Sequence, residues 1–265
     1  MDNLTVAIIL SIVEGLTEFL PVSSTGHLIL AGELLHFTGS RAATFEVVIQ
    51  LGAIMAVVVL YWRRFIGLLR PAPAARFAGW RGIWLLFLTT LPACVAGLLL
   101  HSLIKQYLFS ARSVVFALVA GAICMLIVDW KKKRVTSATL DELTAAQALG
   151  IGLGQCLALW PGFSRSAATI MSGILLGAKR GVAAEYSFIA AVPVMLAATG
   201  YDLLKSWQLF TVADIPFFCV GMLGAFLSAL FAVKIFVALL ARVTLAPFAI
   251  YRLCLAPVAW YFLVS

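Results

Sequence analysis

Apolar residues run through this chain in blocks too long to be one face of a soluble fold. Six of them, at roughly 44–62, 83–101, 113–130, 183–202, 214–240 and 244–264, carry few or no charges. A helix rises about 1.5 Å per residue, so about 20 apolar residues cross the hydrocarbon of a bilayer. Each block predicts a membrane-spanning helix. Two further apolar stretches, 4–36 and 145–178, are interrupted in the middle. The first breaks at Pro21-Val22-Ser23-Ser24-Thr25-Gly26 and the second at Pro161-Gly162-Phe163-Ser164. Proline lacks an N–H and pushes the residue before it out of helical space. Ser23 and Ser164 then stand where a new helix needs an N-cap. Each stretch reads as helix, turn, helix, with arms of about 15 residues that are too short to span. A re-entrant hairpin is the economical reading. Broken backbone at membrane depth is tolerated only where protein buries it or where it lines a wet cavity.

The two hairpins resemble each other. An offset of about 140 lays Pro21 over Pro161, Ser24 over Ser164 and Met55 over Met195, with Glu46 and Glu185 one residue out of step. The expectation is a single membrane domain over 1–265 built from two repeats. The first covers about 1–135 with hairpin 4–36, the second about 140–265 with hairpin 145–178. Three spans per repeat is an odd number, so the second repeat enters from the opposite side. The fold class is thus an all-α polytopic membrane protein, with six transmembrane helices plus two re-entrant helical hairpins in an inverted-topology repeat.

Composition agrees. Apolar residues make up 63% of the chain, charged residues 11%, and the mean hydropathy is +1.08. A soluble domain carries about 25% charged residues, so most of this chain has lipid as its solvent. The net charge of +8 is confined to short clusters between apolar blocks. Without a basic stripe interleaved with aromatics, it argues against nucleic acid. Arg63, Arg64, Arg70, Arg76 and Arg81 mark one loop, Lys131, Lys132, Lys133 and Arg134 another, and Lys179, Arg180 and Arg242 continue the pattern. The loops at 102–112 and 203–213 hold only Lys105, Arg112 and Lys205. The positive-inside rule makes the basic loops cytoplasmic and the sparse ones periplasmic. Both termini then come out periplasmic, hairpin one enters from the periplasm, hairpin two from the cytoplasm, and their tips meet within the bilayer. Five widely spaced cysteines in apolar segments form no CxxC pair and read as packing residues. The start, Met1-Asp2-Asn3, has no basic region, and Glu14 and Glu18 interrupt its apolar run, so a cleavable signal is not expected.

Ionisable groups inside lipid are costly and are functional candidates by default. Hairpin one holds Glu14, Glu18 and His27. Hairpin two holds Arg165 beside Ser164, Ser166 and Thr169. Glu14 and Glu18 share a helix face at i,i+4 spacing. Two such carboxylates bind a hard divalent cation, share a proton for acid/base work, or pair with Arg165 to hold the hairpins together. Ser23, Ser24 and Ser164 follow the breaks, where exposed N–H groups and the helix dipole favour an anion. Arg165 adds a planar donor fork suited to phosphate. His27, three residues after Ser24, is within reach to act as base, acid or nucleophile. The other charges rank lower. Glu46 and Glu185 read as partners of the arginine or as caps, Asp129 as interfacial, and Lys234 and Arg252 as snorkelling to the surface. His36 and His101 lie near helix ends and read as incidental.

The run Glu14-Gly15-Leu16-Thr17-Glu18-Phe19-Leu20-Pro21-Val22-Ser23-Ser24-Thr25-Gly26-His27 resembles the first signature of the undecaprenyl-diphosphate phosphatases, also called bacitracin-resistance proteins. Pro161-Gly162-Phe163-Ser164-Arg165-Ser166-Ala167-Ala168-Thr169 resembles the second, and Thr44-Phe45-Glu46-Val47-Val48-Ile49-Gln50-Leu51-Gly52 extends the likeness, which runs over nearly the whole chain. One departure is Ala167, where members of the family often carry glycine. The resemblance implies removal of the terminal phosphate from undecaprenyl pyrophosphate. The product is the monophosphate carrier for cell-wall precursors, and the activity confers bacitracin resistance. It also implies a requirement for a divalent cation, Mg²⁺ or Ca²⁺, a place in the bacterial inner membrane, and a site open to the periplasm. Family function would fall on Glu14, Glu18, Ser24, His27, Ser164, Arg165 and Thr169. The combined expectation gives catalytic roles to Ser24, His27, Glu18 and Arg165. Ser23, Thr25, Ser164, Ser166 and Thr169 would bind phosphate, and Glu14 and Glu18 would hold the metal. The nucleophile stays open between Ser24, His27 and water. The partners are a polyprenyl pyrophosphate and membrane lipids, with a homodimer left open. The rival class is a transporter or flippase for a lipid phosphate, since inverted repeats with broken helices also build transporters.

Overall fold

In a lipid environment every backbone N–H and C=O must find its partner within the chain, which leaves helices as the natural solution for long apolar blocks. The computed structural model, which describes residues 3–70, 76–131, 134–206, 214–240 and 243–264 without the side chains of 105, 205 and 206, is built in this way. Lys132, Lys133, Arg242, the side chains of Lys105 and Lys205, and residues 207–213 of the expected periplasmic loop lie outside the described residues.

The first half opens with α1 (Asn3–Thr17) and α2 (Ser24–Leu34), separated at the first break. It continues through α3 (Ser40–Leu60), the short α4 (Trp62–Leu68), α5 (Gly79–Leu99), the short α6 (His101–Tyr107) and α7 (Ala111–Trp130). The second half repeats the plan. There α8 (Ala145–Gln155) and α9 (Arg165–Leu175) flank the second break, followed by α10 (Arg180–Ser206), α11 (Ile215–Leu240) and α12 (Ala246–Leu263). Six of these, α3, α5, α7, α10, α11 and α12, are long and apolar enough to cross a membrane. They fall on the six apolar blocks, with ends displaced by a few residues. The start of α3 moves outward to Ser40 because its polar first turn is used: Arg41 pairs with Asp214, just before α11, at 2.6 Å.

Ion pairs fix which ends lie together. At the opposite pole from Arg41, Asp129 at the end of α7 accepts from Arg180 at 3.1 Å and from the first N–H of α12, that of Ala246, at 2.7 Å. Arg64 in α4 meets Glu185 in α10 at 3.3 Å on the same side. Hence α3, α7 and α11 run one way and α5, α10 and α12 the other. Asp129 is more than an interfacial charge, since it clasps three helix ends. Trp62, Trp80 and Trp130 are exposed beside the arginine-rich turns at this pole, the usual station of tryptophan at a membrane surface.

Packing exchanges elements between the halves. The first arm α1 packs on α11, and its counterpart α8 packs on α5. The second arms do likewise, α2 on α12 and α9 on α7, while α3 meets α10 and α7 meets α12. Close approach in lipid relies on small residues. At the α1–α11 crossing a Cβ on Gly15 would strike Ser228 and the Ala225 backbone, and the Ser228 hydroxyl donates to the Ser11 carbonyl at 3.1 Å. The base of the second broken stretch is tied by Gln147. It completes a capping box with Thr144 at the start of α8 and donates to the Leu176 carbonyl at the end of α9, at 2.9 Å.

Candidate active site

Both breaks use the same local device. Ser23 caps α2 by accepting from the Gly26 N–H at 3.3 Å, and Ser164 caps α9 by accepting from the Ala167 N–H at 3.2 Å. Both serines have positive φ, 72° and 79°. For a residue with a Cβ that conformation costs about 1–2 kcal/mol, so the surrounding packing must hold it in place. The matching caps pair Ser23 with Ser164, one residue away from the sequence offset that laid Ser24 over Ser164. The structural equivalents of one another are therefore Ser24 and Arg165, the first residues of α2 and α9.

These two side chains converge on one carboxylate. The Ser24 hydroxyl donates to Glu18 Oε2 in a short hydrogen bond, and the Arg165 guanidinium donates to Glu18 Oε1 at 2.9 Å. Glu18 comes from the first break and Arg165 from the second, so the contact also joins the tips. A second bridge runs from the Ser166 hydroxyl to the Leu20 carbonyl at 2.7 Å, with Ser164 Oγ 3.0 Å from Ser166 Oγ. Arg165 lies over the Phe19 ring, 5.4 Å from its centroid, and reaches the Ser187 carbonyl at 3.4 Å. Its buried Nε has no hydrogen-bond partner among the described residues, a donor available to a ligand. Thr169 sits one turn further along α9, donating to the Arg165 carbonyl at 2.9 Å and lying 2.6 Å from the Ser187 hydroxyl. It supports Arg165 from behind.

Between the tips is a cavity of about 250 Å³. Its polar wall is formed by Glu18, Ser23, Ser24, Thr25, Gln50, Ser164 and Arg165, and its apolar wall by Ala158, Pro161, Met195 and Ala198. Two helix starts and a guanidinium, the latter paired with Glu18, border this one small cavity, and exposed N–H groups at helix starts favour anions. Of the residues expected from sequence, Glu18, Ser23, Ser24, Thr25, Ser164 and Arg165 line this space. Ser166 and Thr169 are buried in its supports. Glu14 lies one turn before Glu18, fully buried, and neither carboxylate oxygen has a hydrogen-bond partner among the described residues.

His27 bonds elsewhere than to Ser24. Its Nδ1 is 2.7 Å from the Ser23 carbonyl, which can only accept, so Nδ1 is protonated. Its Nε2 is 2.7 Å from the Tyr251 hydroxyl. Both ring nitrogens are thus engaged, neither with Ser24. The i,i+3 spacing did not produce a contact, because Ser24 turns back toward Glu18 as α2 begins. Glu185 pairs with Arg64 instead of Arg165.

Sequence reasoning missed three participants. Gln50 and Met195 line the cavity from α3 and α10, and only their place within apolar spans could have drawn notice. Arg252 does not snorkel to the surface; it is completely buried and bonded to the backbone at both breaks. Its signal was an arginine in the middle of the apolar run of α12.

Comparison with known proteins agrees with these features. A model of the bacitracin resistance protein BacA family matches residues 7–258. A protein named undecaprenyl-diphosphatase from Desulfovibrio desulfuricans is 71% identical over 265 residues, covering 100% of both chains. Its namesake from Nitratidesulfovibrio vulgaris strain DP4 is 67% identical over 263 residues, 99% of each chain. Undecaprenyl-diphosphatase 1 of Bacillus thuringiensis is 53% identical over 256 residues, 97% of each. The match spans both breaks and reaches into the last of the six long helices, and the chain belongs to the bacitracin resistance protein BacA family.

Proposed function

We propose that this chain hydrolyses undecaprenyl pyrophosphate to undecaprenyl phosphate and inorganic phosphate in the cavity between the two breaks. The observation that carries the reading is the convergence of Ser24 and Arg165, the first residues of two separate helices, on Glu18. A site that only carries a lipid phosphate needs the anion cradle. It has no use for a hydroxyl already donating to a carboxylate, which is how a nucleophile is prepared.

Ser24 Oγ attacks the terminal phosphorus and passes its proton to Glu18. A new O–P bond forms as the anhydride P–O bond breaks, and undecaprenyl phosphate leaves with its charge on oxygen. Glu18 releases that proton to solvent, takes another from the water that attacks the phosphoserine, and passes it to the departing Ser24 oxygen, restoring Ser24 and releasing inorganic phosphate. Arg165 and the N–H groups at the starts of α2 and α9 meet the equatorial oxygens, where charge spreads in phosphoryl transfer. The bonding of His27 to Ser23 and Tyr251 favours a role in holding the first break. The polyprenyl tail would leave along Ala158, Met195 and Ala198.

The donor set suits a divalent cation. Glu14 is a fully buried acid one turn from Glu18, with neither carboxyl oxygen bonded among the described residues. Among the described residues no three His, Cys, Asp or Glu form a ready cage. Glu14 and Glu18 would hold the ion with substrate oxygens and water completing the shell, a common arrangement for Mg²⁺. When bound, the ion supplies positive charge to the phosphate.

The reading includes two re-entrant, inverted halves in the bacterial inner membrane, with the cavity opening to the periplasm. The opposed direction of equivalent helices and the reciprocal packing of α1 on α11 and α8 on α5 support it. Substrate labelled with ³²P in the terminal phosphate, quenched within one turnover, tests the chemistry. Label is expected on the peptide containing residue 24 and absent in Ser24→Ala. Label on His27 instead would reassign the nucleophile, and absence of any release from folded protein would turn the reading toward transport.

A further inference from the structure

Arg252 is buried to 0% exposure within α12, and among the described residues no carboxylate accepts a hydrogen bond from it. All five of its donors go to backbone carbonyls. Nε reaches Leu118 at 3.1 Å and one Nη2 hydrogen reaches Ala117 at 3.0 Å, both in α7. The other three reach the breaks: Pro21 at 3.5 Å, Gly162 at 2.9 Å and Phe163 at 2.9 Å. These carbonyls belong to the residues just before the capping serines, where the helices are interrupted and backbone acceptors are left over. One planar fork therefore satisfies acceptors of both breaks at once, and binds them to the third long helix of each half.

The site around it is shaped for this group. Gly121, one turn along α7 from Ala117, lies against the guanidinium, and a Cβ there would run into Nη1, Nη2 and Cζ. Gly162 has φ of +97° and faces the Val114 carbonyl, so the second break is pressed onto α7 at the same place. Along the chain these carbonyls are followed by the caps Ser23 and Ser164 and then by the first helical residues, Ser24 and Arg165. Burying a charge this deeply is costly without compensation, and full use of its donors is the compensation.

We infer that Arg252 is a positioning residue that sets the register of the two breaks, so that Ser24 and Arg165 meet at Glu18. Its own side chain does not line the cavity; it bonds the backbone of Gly162, which does, and acts through the backbone ahead of both helix starts. A lysine has three donors in another geometry and cannot bond five carbonyls across two loops and a helix. The inference rests on the phosphatase reading only for its kinetic part.

The test uses purified full-length protein in detergent with Arg252→Lys, Arg252→Met and Gly121→Ala, the last keeping the charge while displacing the fork. Two measurements run in parallel: phosphate release from a polyprenyl pyrophosphate, and hydrogen–deuterium exchange by peptide. Misplacing catalytic groups by about 1 Å costs about 10²-fold. The expected result is a kcat lower by about 10²-fold in Arg252→Met and about tenfold in the other two, with KM changed less than about threefold. Exchange should rise in peptides covering 19–27 and 161–169 and stay as in wild type along α3 and α5. Wild-type kcat per folded molecule in Arg252→Met would overturn the inference, as would exchange rising uniformly along the chain or in neither break. If wild-type protein releases no phosphate, the phosphatase reading fails, and exchange at the two breaks still decides the role of Arg252.

Discussion

The Glu18–Arg165 pair carries two jobs that substitution can separate. Its partners are 8% and 13% exposed and 2.9 Å apart, so solvent screens the pair little. Arg165→Gln leaves Glu18 a buried charge with only Ser24 to stabilise it. Removing one partner of a buried pair costs about 3–5 kcal/mol. The lower end, about 3 kcal/mol, is expected here because the Ser24 hydrogen bond to Glu18 remains. Glu18→Gln strands the guanidinium, but the Ser187 carbonyl and Phe19 face still hold it, so about 2 kcal/mol is lost. The double variant Glu18→Gln/Arg165→Gln removes both charges and leaves two amides able to bond each other. Its net cost should be about 1–2 kcal/mol, a coupling of about 3–4 kcal/mol. Phosphate release should fall by at least about 10³-fold in each single variant, the scale of removing one transition-state donor. It should not return in the double variant, which has neither base nor clamp. Denaturant unfolding in detergent gives the stabilities, and initial rates of phosphate release give the activities. Recovery of activity together with stability in the double variant would refute the reasoning, because the pair would then be only a strut. Additive stabilities would show that the pair does not form.

Three further outcomes follow from the same geometry. At the positive-φ caps, Ser23→Gly and Ser164→Gly should unfold later than the matching alanine variants by about 1 kcal/mol, since glycine relieves the backbone while alanine loses the cap and keeps the strain; thermal unfolding with the reverse order would contradict it. Tyr251→Phe removes one hydrogen bond from His27 and should lower kcat by less than about tenfold, whereas a loss of a hundredfold or more would draw the histidine into the reaction path. Glu14→Gln should raise the Mg²⁺ or Ca²⁺ concentration needed for half-maximal activity by tenfold or more, read by titrating metal back after EDTA, and an unchanged midpoint would remove Glu14 from the metal's ligands.

Much of this was legible because lipid leaves the chain few choices. The long apolar blocks could only be helices, and Pro21 and Pro161 could only interrupt them, so the breaks and their serine caps were readable without a structure. Glu18 and Arg165 stood out for the same reason, being charges where charge is costly. What could not be read is which atoms meet. Lys234 and Arg252 look alike in sequence, each a cation inside an apolar helix. Lys234 is exposed on α11, while Arg252 finds carbonyls from segments some 90 and 230 residues away. Those acceptors exist only after the breaks have packed together. His27 illustrates the limit of spacing. Three residues from Ser24 it is near in the helix, yet the first residue of a helix directs its side chain by its own rotamer, and Ser24 turned to Glu18. The repeat was visible, but its register was not, because Ser23 and Ser24 are both plausible matches for Ser164 until the cap hydrogen bonds are known.

The most direct test of the central claim is release of inorganic phosphate from a polyprenyl pyrophosphate by the purified protein in detergent, with and without EDTA, beside Arg165→Ala. Wild-type protein is expected to release phosphate rapidly, to lose the activity with EDTA and regain it with added Mg²⁺ or Ca²⁺, and Arg165→Ala to be slower by about 10³-fold or more. A well-folded wild-type protein that releases no phosphate with either metal present, or an Arg165→Ala variant as active as wild type, would contradict a phosphatase site at the two breaks.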